Sequence, residues 1–181
     1  MNKYFNHFKT ITKHKLIVMN LCFKCGLIKR GLMHDLSKYG VTEFCSSAKY
    51  FQGSRSPIDA EKEDIGYSIA WQHHKGHNPH HWEYWIDNVG TKQNDPIKIP
   101  YEYAVEMVCD WIGASIVYSK NSCDFDKPYP APYEYYKAHR NERIFHPDTE
   151  KLLEHFLSIV SNQGINEFCK DAKSKQRKIC Y

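Results

Sequence analysis

The chain has no long hydrophobic run. The stretch Leu16 to Phe23 is apolar but short, broken by Asn20 and set behind Lys13 and Lys15, so it predicts neither a membrane span nor a secretory signal. There is little net charge: 25 Lys and Arg against 21 Asp and Glu give +4 over 181 residues. That excess is too small to argue for a nucleic-acid partner, and it leaves an anionic small molecule open. Much of it sits in Lys170, Lys173, Lys175, Arg177 and Lys178, a basic tail expected to be solvated. Internal repeats, low-complexity linkers, sustained alternation of apolar and polar residues, and Asn-Gly or Asp-Gly hairpin signals are all missing, which argues against a β fold. The seven cysteines (Cys22, Cys25, Cys45, Cys109, Cys123, Cys169 and Cys180) are odd in number, and several lie in apolar helical patterns. Reduced thiols and a cytoplasmic location are expected. Cys22 and Cys25 form a C-x-x-C, but no second pair completes a structural zinc site, so these two are expected to be buried helix thiols.

What is present is a globular composition, 41% apolar and 14% aromatic, on a chain that suits one domain. Helical spacing of apolar residues runs over 3–25 and stops at Gly26, then over 27–38 before Gly40. Thr42 can cap a helix to about Gln52, and Ser56-Pro57 can open one to about His74, before Gly76, Asn78 and Pro79. Pro100 opens a long helix to about Lys120. After Pro128, Pro130 and Pro132, helices are expected over about 133–142, from Pro147 to Gly164, and over about 165–177. The prediction is an all-α fold, a compact bundle of about seven helices.

Histidine is abundant. Five of the 11 crowd into 73–81: His73, His74, His77, His80 and His81. Another pairs with an acid in Gly31-Leu32-Met33-His34-Asp35-Leu36-Ser37-Lys38. Asp35 among these apolar neighbours is costly to bury unless a cation compensates, and a divalent ion would do so. Asp110 poses the same problem in Val105-Glu106-Met107-Val108-Cys109-Asp110-Trp111-Ile112. Glu106 is one turn earlier on the same face, so a plain polar stripe of Glu102, Glu106 and Asp110 is the alternative reading. Imidazole and carboxylate together suit manganese, iron, cobalt, nickel or zinc.

His14, the His34-Asp35 pair about 20 residues later, and the distant helical Asp110 together resemble the H…HD…D pattern of the HD-domain superfamily, here in its H-D-x-x-K form with Lys38. The resemblance covers about residues 5–120, and the phrase around His73–Trp85 is similar to that of an uncharacterised bacterial and phage family of HD-like proteins. It implies an HD-like helical domain over 1–181, with a metal-site core at about 5–120 and a helical extension at about 130–181. It also implies a metal-dependent phosphohydrolase, in which a metal-activated water attacks a phosphate ester of a small molecule, a nucleotide being one candidate. The implied metal ligands are His14, His34, Asp35 and Asp110. In two-metal members, histidines between the pair and the last aspartate hold a second ion, which points to His73 or His74 and to His80 or His81. Asp35 would then be the bridge, since a carboxylate has two oxygens to offer.

Lys38, one turn from Asp35, is the expected catalytic cation and phosphate contact, with Arg55, Lys75 and Lys120 as further candidates. Trp71, Trp82, Tyr84 and Trp85 could stack on a base or sugar, or fill the core. Two other functions fit the same ligands: a di-iron oxygenase on the HD fold, and a non-enzymatic, metal-binding regulatory protein.

Overall fold

The computed structural model describes residues 2–87, 94–119 and 123–179, with side chains up to 176. Helix α1 (Lys3–Lys24) is capped by Asn2, whose side chain accepts from the Tyr4 N–H, and its buried face carries His7, Ile11, His14, Val18 and Leu21. These positions recur at three- and four-residue steps, so one stripe of α1 delivers both apolar packing and two histidines. Gly26, at φ 87°, ends the helix and turns the chain into α2 (Ile28–Met33). A 3-10 turn at Leu36–Tyr39 leads to α3 (Val41–Tyr50), α4 (Pro57–Ile65) and α5 (Ile69–His77). After a 3-10 turn at Trp82–Trp85, strands β1 (Ile86–Asp87) and β2 (Asp95–Pro96) pair antiparallel. Then come α6 (Tyr101–Tyr118), α7 (Ala131–Ala138), α8 (Pro147–Gln163) and α9 (Ile165–Ile179).

The fold is all-α, as expected, with nine α-helices among the described residues where about seven were predicted. Local chemistry explains the extra breaks. The helix expected from Pro57 to His74 is two helices, because Gly66 adopts φ 83° and Ser68 then caps α5 by accepting from the Trp71 N–H. The helix expected over 27–38 stops at Met33, because Asp35 takes a left-handed conformation at φ 53°. The short β1–β2 pair carries no alternating pattern that would announce it.

Helix α6 is the spine. Ala104, Val105, Met107, Val108, Cys109 and Ile112 are all buried on it. Against them pack Val18 and Leu21 of α1, Leu153, Phe156 and Leu157 of α8, and Phe168 of α9, in one apolar cluster. A side chain at Gly113 would put its Cβ 2.5 Å from Val18 and 3.4 Å from the His14 ring. Glycine there lets α1 and α6 approach closely enough to bring His14 against Asp110. Among the described residues no helix is long and apolar enough to cross a membrane.

Candidate metal centre

The centre is built where α1, the end of α2, the start of α3, the end of α5 and the middle of α6 meet. Lys15 fixes one wall. Its ammonium donates to the carbonyls of Gly31 at 3.2 Å, Leu32 at 2.6 Å and His34 at 2.6 Å, capping the open end of α2. The chain then turns through Asp35. A left-handed backbone is tolerated by Asp more than by most residues, yet outside glycine it costs about 1–3 kcal/mol and persists only where the surroundings enforce it. Here it carries the Asp35 carboxylate into the interior while His34, just before it, faces α6.

The two oxygens of Asp35 face different partners. Oδ2 lies 3.5 Å from His14 Nε2 and 3.3 Å from His34 Nε2, and the Lys38 ammonium donates to it. His14 Nε2 in turn donates to Asp110 Oδ1 at 2.9 Å. Oδ1 lies 3.3 Å from His74 Nε2 and 3.4 Å from His80 Nε2. Two clusters result: His14, His34, Asp35 and Asp110 form one, and Asp35, His74, His80 and His81 form the other; in each, one donor atom per residue lies within 4.8 Å of all the rest. In the second cluster Asp35 Oδ1, His74 Nε2, His80 Nε2 and His81 Nε2 are buried and have no hydrogen-bond partner among the described residues. Buried polar atoms are normally paired. Four buried polar atoms, three imidazole nitrogens and a carboxylate oxygen, that converge with no hydrogen-bond partner among the described residues fit a cation. Buried His, Asp and Glu groups of this chain can therefore hold a metal ion.

Two carboxylates stand behind the imidazoles. Glu106 Oε1 accepts from His34 Nδ1 at 2.9 Å and lies 3.2 Å from His80 Nδ1. Glu43 accepts from His73 Nδ1 at 2.6 Å through Oε1 and from His74 Nδ1 at 2.8 Å through Oε2. Carboxylates hold the Nδ1 side of His34, His74 and His80, so each turns Nε2 inward, the atom that would ligate a metal in place of a proton.

Comparison with known protein families matches residues 3–159 to a family of unknown function, DUF5662. The chain belongs to DUF5662. Comparison with curated proteins and with solved structures gives no match. The region of this DUF5662 chain that matches the family runs from α1 into α8 and contains every residue of both clusters.

Electrostatics in the DUF5662 centre follow from crowding. Burial opposes a charge on His34, but Asp35, Asp110 and Glu106 outweigh it and push the imidazole up to about 10. Burial likewise opposes ionisation of Asp35 and Asp110. His34 and Lys38 for the first, and His14 and His34 for the second, overcome it and hold both well below the carboxylate range. His80 and His81 are pushed down, by burial first and then by neighbouring imidazoles. Burial opposes the Lys38 charge too, and Asp35 raises its pKa above that of an ordinary lysine.

The structure of the DUF5662 chain brings together seven of the eight ligands expected from sequence: His14, His34, Asp35, His74, His80, His81 and Asp110. The eighth, His73, lies outside both clusters: its ring points to the α5 surface and is held by Glu43. Lys38 lies beside the centre on Asp35. Arg55 does not reach it. That side chain is exposed and paired with both oxygens of Glu63. The charge of Lys75 acts on Glu83, and Lys120 lies outside the described residues. Trp71 sets its ring edge-on to His81 at 4.7 Å, whereas Trp82 packs on Phe145, and Trp85 packs on Tyr103 and donates to the Pro79 carbonyl. Cys22 and Cys25 are buried thiols as expected, Cys25 Sγ lying 4.0 Å from Cys109 Sγ. Glu43 and Glu106 were missed as functional residues. Glu106 had a signal, a carboxylate in an apolar helix one turn before Asp110; Glu43 had none, because its partners lie 30 residues away.

Proposed function

We propose that this DUF5662 protein is a metal-dependent phosphohydrolase of the HD-domain type, with two divalent transition-metal ions bridged by Asp35 and a phosphorylated small molecule, such as a nucleotide, as substrate. The observation that carries the reading is the division of Asp35: each carboxylate oxygen faces its own set of donors, and the imidazole nitrogens of one set have no partner among the described residues. The donor types suit manganese, iron, cobalt, nickel or zinc. Two such ions would polarise a phosphoryl oxygen and activate a water for attack.

The chain's own residues supply the rest. Glu106 and Glu43 hold the ligand tautomers, and Lys15 holds the turn that presents His34 and Asp35. His14 and Asp110 in the first cluster and His81 in the second are less deeply buried than His34, Asp35, His74 and His80, so a substrate would approach the centre over these three residues. Lys38, partly exposed and paired with Asp35, would donate to a phosphate oxygen.

The test is turnover. Protein reconstituted with manganese, iron or zinc should release phosphate or a nucleoside from a panel of phosphomonoesters, diesters and nucleotides, and a chelator should abolish it. Lys38→Ala should lower kcat/KM on the order of 10–100-fold with metal content unchanged, the loss of one charge-assisted contact. Oxygen consumption with an organic substrate and no phosphate release would install the di-iron oxygenase reading instead. Two bound ions with no turnover of either kind would leave a metal-binding regulatory protein.

A further inference from the structure

Helix α5 ends in a pair of histidines that neither cluster uses. His73 and His77 lie one turn apart with their rings stacked, centroids 4.0 Å apart and planes 16° from parallel. Both Nδ1 atoms are committed. His73 Nδ1 donates to Glu43 Oε1 at 2.6 Å, and His77 Nδ1 donates to the His73 carbonyl at 2.7 Å. Carboxylate and carbonyl only accept, so each neutral ring carries its proton on Nδ1 and its lone pair on Nε2. His77 is exposed, and the His73 side chain is 34% exposed. Two lone pairs of one kind are thus presented side by side at the surface on a rigid helical turn.

We propose that His73 and His77 form an outer, two-imidazole site for one divalent transition-metal ion, and that ions enter the buried centre from it. Imidazole donors favour copper, nickel and zinc over manganese, and water can complete the shell. Its position gives the outer site its role. His73 is followed directly by His74, a donor of the second cluster, and Glu43 grips both rings, His73 through Oε1 and His74 through Oε2. An ion held outside is one residue and one shared carboxylate away from a cluster whose own donors are nearly inaccessible to solvent. Binding at the outer pair stands independently of the proposed phosphohydrolase; the loading role rests on an inner centre that holds metal.

Untagged protein is dialysed against nickel or zinc, and bound metal is counted before and after a brief wash with a weak chelator. Wild type should hold one ion more before the wash than after it. His77→Ala, a change at an exposed position, should lack that washable ion, keep the retained ones, and fill the retained sites several-fold more slowly from the apo state. Asp35→Ala should lose the retained ions and keep the washable one. A His77→Ala protein with wild-type counts both before and after the wash would overturn the outer site, as would loss of the washable ion in Asp35→Ala. Wild-type filling rates in His77→Ala would overturn the loading role. If wild type retains nothing but still binds a washable ion that His77→Ala lacks, the inner centre fails and the outer site stands.

Discussion

The two clusters that share Asp35 differ in what they can do without a metal. Around Oδ2, His14, His34, Asp110 and Lys38 already pair with one another: His14 donates to Asp110 and the lysine donates to Asp35. Around Oδ1, three imidazoles present nitrogens with no partner among the described residues. A buried polar atom left unpaired costs about 1–3 kcal/mol. The first cluster therefore has a metal-free arrangement that satisfies it, and the second has none. Charge separates them too. The first would hold its ion with two carboxylates, the second with three neutral nitrogens and a shared oxygen. The first suits harder, oxygen-seeking ions such as manganese, and the second suits ions that favour nitrogen. A centre built this way would fill unequally, and two ions bound in it need not be the same element.

The largest effect should come from removing what the clusters share. Asp35→Ala takes one oxygen from each, and the metal retained after a weak-chelator wash, measured by elemental analysis, should fall from two ions to none. A variant that retained one ion through the wash would show that Asp35 serves a single cluster and does not bridge. Next is Glu106, which stands behind His34 in the first cluster and His80 in the second. Glu106→Gln should weaken both ions, each by about 10–100-fold, the usual scale for a partner behind a metal-bound histidine. Glu43 touches His74 alone among the inner donors. Glu43→Gln should weaken only the second ion by a similar factor. Competition titrations against a chelator that resolve two affinities would check both, and equal losses at both sites in Glu43→Gln would erase the distinction between the clusters.

Much of this was legible in the chain. Apolar spacing located the helices, and the cost of burying Asp35 and Asp110 among apolar residues pointed to a cation before any geometry was known. Two kinds of information were not. One is backbone conformation: nothing in Met33-His34-Asp35-Leu36 announces that Asp35 adopts φ 53°, yet that turn directs its two oxygens to two clusters. The other is long-range pairing. His73 and His74 are adjacent and chemically equal, and sequence offered either as a ligand. Only the rotation of α5 against α3 sends His74 inward to Asp35 and His73 outward, both held by a glutamate 30 residues earlier. Arg55 was a candidate by charge alone, and its bidentate pair with Glu63 is equally invisible without the fold of α4.

A buried histidine outside both clusters gives the comparison its scale, and metal content is expected not to respond to it. His7 lies two turns before His14 on α1, packed 5.3 Å from the rings of both Phe44 and Phe51, with its Nδ1 unpartnered among the described residues. Unlike His34, it has no carboxylate beside it among the described residues. Burial, with the Lys38 charge second, pushes its pKa down to about 4, whereas the carboxylates around His34 push that group up to about 10. The sign for stability follows. In the unfolded chain His7 takes a proton near pH 6.5, while the folded protein keeps it neutral down to about 4. Between those values the unfolded state binds more protons, so stability falls as pH falls. At about 1.4 kcal/mol per pH unit, the loss between pH 7 and pH 5 from this residue is about 2 kcal/mol. His7→Phe keeps an aromatic ring among aromatic neighbours and removes the titration. Urea unfolding of both proteins at pH 7 and pH 5 isolates the effect, because every other titrating group cancels in the difference. The variant should lose about 2 kcal/mol less than wild type over that interval and bind the same number of ions. Equal losses in the two proteins would mean that His7 is already charged in the folded state, and that a carboxylate reaches it as one reaches His34.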